Sequence, residues 1–138
     1  MIVVDTNIIA YLFISGEFSK HAENVLLKDP RWAAPLLWRS ELRSILTQYI
    51  RKELLSPEDA VDIMEHASQL IENNEYDVSS KQVLTLATKS NLSAYDCEFV
   101  ALAKDLGLKL VTADQKIVEA FPEYVLRLQT YTGSTGDG

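Results

Sequence analysis

The sequence predicts an α/β protein in three layers, a central parallel sheet covered by helices on both faces. Three observations predict it. Short apolar runs rich in β-branched residues alternate with longer segments whose apolar residues recur at helical spacing. The short runs are apolar throughout, as strands buried on both faces are. The 138 residues suffice for one domain with a full core and not for two.

The elements follow in order. "IVVD" at 2–5 is too short for a helix and reads as a buried strand. Thr6 or Asn7 can cap a helix starting near Ile8, and a second helix runs over about 19–28. "DPRWAAP" holds a turn and a short strand near 31–34. Residues 36–53 form a long helix, with Trp38, Leu42, Ile45, Leu46, Tyr49 and Ile50 at helical spacing. "SPED" at 56–59 starts the next: Ser56 caps, Pro57 takes the first turn and Asp59 completes the capping box. That helix reaches Glu72 and ends at Asn73-Asn74, before a short strand "YDV" at 76–78 and a helix at 80–89. Ser93 caps a helix over 94–106 that Gly107 terminates. "LKLVTA" at 108–113 is a strand, 115–120 a short helix and "YVLRL" at 124–128 a final strand. The domain is thus expected at 1–128, with 129–138, rich in Gly, Ser and Thr, a flexible tail of the kind appended to recombinant chains.

The composition, 47% hydrophobic and 24% charged, is that of a soluble globular protein. A single cysteine, Cys97, excludes an internal disulfide framework and a cysteine-based zinc site, and fits a reducing cytoplasm. No apolar run approaches the roughly 18 residues of a membrane span, and no signal-peptide pattern opens the chain. The formal net charge of −7 argues against a protein that coats nucleic acid through bulk positive charge. It leaves room for an enzyme built around a local acidic metal site.

Four carboxylates point to such a site. Ligands of open α/β sheets bind outside the carboxyl ends of the strands. Asp5 lies at the end of the first strand and Asp114 just past the end of "LKLVTA", so the two share a crevice if those strands are neighbours. Each also has an ordinary structural reading, Asp5 as an Asx-turn and Asp114 as a helix cap. Asp96, three residues after Ser93, completes a capping box, yet it falls inside the apolar arc marked by Phe99, Val100 and Ala103. Glu41 lies at the edge of the apolar arc of its helix, where a boundary glutamate paired with Arg43 is the simple alternative. Arg39 and Arg43 are solvated surface charges or phosphate contacts. Several ionised carboxylates share one crevice only if something neutralises them. An acid-only set without His or Cys suits Mg²⁺ or Mn²⁺, cations that commonly act on phosphates.

These residues resemble the PIN-domain ribonucleases, most closely the VapC-type toxins of prokaryotic toxin–antitoxin pairs. "IVVDTNII" is similar to the family's first motif, "WRSELRSIL" to the second, and "SAYDCEFVALAKDLGLKLVTAD" is the most specific match. The resemblance spans about residues 1–128. It implies metal-binding and catalytic acids at Asp5, Glu41, Asp96 and Asp114, with Asn7 and Thr112 supporting them by hydrogen bonds. It further implies Mg²⁺ or Mn²⁺ dependence, an RNA substrate, a homodimer and a cognate antitoxin; the cytoplasmic location is expected from the cysteine usage above. Glu41 binds the metal or orients the attacking water, and Lys116 joins Arg39 and Arg43 as a candidate phosphate contact. Neither His21 nor His66 sits in a motif, so water rather than imidazole is expected to be the nucleophile. "DCE" departs from the family in Cys97 and Glu98, where small or apolar residues are common.

Rival readings lack their residues. A haloacid-dehalogenase-type site wants a second acid two residues after Asp5, where Asn7 stands. The paired acids of a receiver domain and the P-loop are missing. The remaining alternative is a catalytically silent PIN fold that binds RNA or protein, and such a chain is expected to have lost one of the four acids.

Overall fold

The computed structural model describes residues 1–133. Five strands, β1 (Ile2–Val4), β2 (Trp32–Pro35), β3 (Glu75–Tyr76), β4 (Leu110–Thr112) and β5 (Val125–Arg127), form one sheet in the order β3-β2-β1-β4-β5. Every pairing is parallel. Eight helices cover it: α1 (Thr6–Phe13), α2 (Ser19–Lys28), α3 (Trp38–Arg51), α4 (Pro57–Ile71), α5 (Ser80–Thr88), α6 (Ala94–Leu106), α7 (Gln115–Ala120) and α8 (Leu128–Thr132). The chain moves outward from β1 through β2 to β3, then returns past both to β4. Right-handed crossovers therefore put α1–α4 on one face and α5–α7 on the other, giving the expected three layers. The direction of winding reverses between β1 and β4, which are hydrogen-bonded neighbours in register Val3↔Leu110 and Val4↔Val111. A crevice opens at such a reversal.

The caps explain several boundaries. Ser56, Ser79 and Ser93 each accept a hydrogen bond from the amide three residues on. Gly107 ends α6 in the left-handed conformation, φ +67°, which a side chain at Cβ would strain. α6 is buried nearly all round from Cys97 to Ala103, because it lies between the sheet and α5. On α3, Trp38, Leu42 and Leu46 are buried, whereas Ile45, Tyr49 and Ile50 are only partly covered.

Three elements differ from the sequence expectation. α1 begins at Thr6 with Asp5 in the cap position, because β1 stops at Val4 and one residue makes the turn. β3 pairs through Glu75 and Tyr76 rather than 76–78, in register with Ala34 and Pro35. The segment after β5 is not a tail from residue 129: α8 packs on α2, with Leu128 buried and Lys28 donating from Nζ to the Tyr131 carbonyl while lying 4.3 Å from that ring's centre. The rest of the expected tail, 134–138, lies outside the described residues.

Glu75 anchors the sheet edge to α3. Its Oε2 accepts from the Trp38 indole at 2.7 Å and from Arg39 Nε at 2.6 Å, and its Oε1 accepts from Arg39 Nη2 at 2.9 Å. The partly solvated ion pair adds little by itself. The Trp38 side chain, however, is fully buried and its N–H has this one acceptor among the described residues. Glu75→Ala should therefore cost about 1–3 kcal/mol, the penalty for stranding that donor. Chemical denaturation would show it as a lower midpoint with an unchanged slope.

Candidate active site

Asp5, Glu41, Asp96 and Asp114 come from β1's end, α3, the first turn of α6 and the turn after β4, and they line one cleft of about 310 Å³. The β1–β4 pairing brings the first and last together. The Asp5 amide donates to the Val111 carbonyl, continuing the ladder by one residue and setting Asp5 at the mouth of the crevice. Its side chain does not cap α1. It turns instead to Thr112, whose hydroxyl donates to Oδ2 at 2.7 Å. The same Thr112 oxygen accepts from the Asp114 amide at 3.0 Å, so one hydroxyl sets both strand-end acids. Asp114 also performs the capping role: its Oδ1 accepts from the Lys116 amide at 2.9 Å. Its Oδ2 makes no hydrogen bond to a described residue.

Glu41 is half-buried, and its Oε1 accepts from the Thr6 hydroxyl at 2.7 Å. Asp96 does both things the sequence allowed: its amide donates to the Ser93 cap at 3.0 Å while its side chain lines the cleft. Asn7, exposed on the first turn of α1, lines it as well.

The electrostatics are those of crowded acids with little counter-charge. Burial pushes Asp5 up to about 6, and the charges of Glu41 and Asp96 push the same way. The Thr112 hydroxyl and the nearby Thr6 amide offset part of this. Burial raises Glu41, with Asp96 adding to it. Burial also raises Asp96, helped by Asp114, while Ser93 and the Lys116 charge pull it down. Among the described residues, no Lys, Arg or His lines the cleft.

The donor set of four carboxylates fits a hard divalent cation, and a carboxylate as buried as Asp5 needs a counter-charge when ionised. The side chains do not close into a cage: among the described residues, no three His, Cys, Asp or Glu groups converge tightly enough to hold an ion alone. A Mg²⁺ ion that keeps several of its waters needs only one or two carboxylates directly.

The candidate phosphate contacts are placed differently. Arg39 is engaged with Glu75 and, with Arg43, faces a larger cavity of about 730 Å³ between α3 and α4, away from the acids. Lys116 stands near Asp96, as its effect on that acid shows. Glu98 lies beside Asp77 and Val78 in another depression, His66 is exposed and stacks on Phe13, and Cys97 is buried.

Sequence reasoning took Thr6 for a helix cap and so missed its bond to Glu41. It also missed Ser44, Gln48 and Tyr49 as cleft-lining residues. The signal was there: three, seven and eight residues after Glu41, they share its helix face.

Fold and site together define a doubly wound α/β domain whose acidic crevice sits where the winding reverses. The chain belongs to the PIN domain family, which it matches over residues 2–121. It is 30% identical over 127 residues to Ribonuclease VapC3 of Pyrobaculum aerophilum, covering 90% of this chain and 97% of the relative. Two solved structures share its fold. The PAE2754 protein of Pyrobaculum aerophilum superposes with a TM-score of 0.75 at 18% identity, over 99% of this chain and 96% of the other. The toxin–antitoxin complex from Klebsiella pneumoniae gives 0.70 at 21%, over 93% and 98%.

Proposed function

We propose that the protein is a ribonuclease of the VapC type, hydrolysing RNA phosphodiester bonds with Mg²⁺ or Mn²⁺ and acting as the toxin of a toxin–antitoxin pair. One observation carries the reading: four acids from four separated segments line a single cleft that has no cation of its own. Supporting it are the ribonuclease named as a relative over nearly the whole chain and a fold shared with a toxin–antitoxin complex. A cognate antitoxin, a homodimer and a cytoplasmic location belong to the same proposal; no helix among the described residues is long and apolar enough to cross a membrane.

Asp5, Asp96 and Asp114 would hold a divalent cation, directly or through water, with Thr112 positioning the first and last of them. When bound, a divalent cation neutralises phosphate charge and lowers the pKa of an attacking water. Glu41, steadied by Thr6 and raised by burial, is placed to orient that water and accept its proton. The water oxygen would bond to phosphorus as its proton passes to Glu41, while the bond from phosphorus to the leaving ribose oxygen breaks and that oxygen takes a proton from solvent. The resemblance implies that Asn7 supports the acids by a hydrogen bond, but its side chain makes none to a described residue and only lines the cleft.

A mixed-sequence RNA incubated with the purified protein and Mn²⁺ tests this. Cleavage should appear, stop with EDTA and return with excess Mn²⁺, and an Asp96→Asn preparation should stay silent throughout. Cleavage that ignores EDTA, or none in either metal, would overturn it and leave a silent binding module as the reading.

A further inference from the structure

The trench between α1 and α3 does not end at the acids. α3 presents Glu41, Ile45 and Tyr49 in successive turns, and α1 presents Asn7 and Tyr11 opposite them, followed by Ile14 just past the helix end. Asn7, Ile45 and Tyr49 line both the acidic cleft and an adjoining pocket of about 180 Å³. Tyr11 and Phe18 form the far wall, their rings 5.0 Å apart and inclined at 34°. The turn through Gly16 closes the pocket, pinned by the Ser19 hydroxyl, which accepts from the Gly16 amide at 2.9 Å and donates to the Ile14 carbonyl at 3.1 Å.

Resting on the ribonuclease reading above, we propose that this pocket receives one nucleobase of the RNA, the base flanking the phosphate held at the acids. Three features select that occupant. The pocket is smaller than the roughly 300–1,000 Å³ of sites for drug-sized ligands, so it admits a single ring system. Its walls are aromatic and apolar, which suits a π-face. It holds Glu17 and no Lys or Arg, so a phosphate is repelled and a neutral planar group is accepted. The Asn7 amide and the Tyr11 and Tyr49 hydroxyls make no hydrogen bond to a described residue, and are free to meet the edge of a base. A tyrosine hydroxyl both donates and accepts at neutral pH.

The test is a cycle of enzyme and substrate changes. Once a short RNA with one scissile bond is found, each position beside that bond is made abasic in turn. One position should lower kcat/KM by about 5- to 150-fold, the range for losing the stacking of one base. Tyr49→Leu and Tyr11→Leu should lose a similar factor on the intact RNA, and the enzyme and substrate losses should not add. A merely structural fault would slow intact and abasic RNA alike. A melting temperature measured for each variant guards against misfolding, and Tyr49, partly exposed, is the safer of the two. Cleavage that tolerates every abasic position, or enzyme and substrate losses that multiply, overturns the subsite while leaving the nuclease standing. Absence of metal-dependent cleavage in the parent overturns both.

Discussion

Asp5→Asn should lower RNA cleavage by at least about 10²- to 10³-fold, comparable to removing a principal electrostatic group from other active sites. The substitution is nearly isosteric, and the new amide oxygen can still accept from the Thr112 hydroxyl. Position is therefore retained while the charge is lost. Asp5 is also the most buried of the four acids, 9% exposed. Single-turnover kinetics in Mn²⁺, with circular dichroism to show an unchanged fold, would measure the effect. A variant cleaving within about threefold of the parent would place the chemistry elsewhere.

The second large effect is on stability and its dependence on pH. Asp5 binds its proton more tightly folded than unfolded, about 6 against 3.8. The stabilisation this gives is fully present below 3.8 and is lost as pH rises through about 6. Two units correspond to about 3 kcal/mol at 1.36 kcal/mol each. Glu41 and Asp96 shift in the same direction. Asp29 and Glu75 shift oppositely, since partners hold them down, and their contributions fade as pH falls. The clean comparison is therefore parent against Asp5→Asn in EDTA. The variant should gain on the parent by about 2 kcal/mol or a little more between pH 4 and pH 8, and millimolar Mn²⁺ at pH 8 should stabilise the parent more. A difference that does not vary with pH, or equal responses to Mn²⁺, would mean that no strained charge sits in the crevice.

Much of this was legible in the sequence because it depends on local rules. The serines at 56 and 93 announce their helices, and Gly107 announces an end, through contacts spanning a few residues. Asp96 stood out because a helical wheel is a local calculation. The pairing of β1 with β4 was not legible. The sequence showed only that Asp5 and Asp114 would share a crevice if their strands were adjacent, and adjacency depends on the winding of the whole sheet. The bonds from Thr6 to Glu41 and from Arg39 to Glu75 join residues 35 and 36 apart, and no periodicity reports them. The helix after β5 was hidden by composition: "LQTYTG" resembles a tail until α2 offers Leu128 and Tyr131 a surface.

The order in which the four acids leave the ribosome carries a consequence of its own. The sheet has β1 at its centre, yet the strand that brings the fourth acid beside it is made after about four-fifths of the chain. A partly synthesised polypeptide holds Asp5 with no Thr112 to aim it and no Asp114 opposite. Whatever chemistry the finished crevice performs therefore waits until the last fifth of the chain is being made.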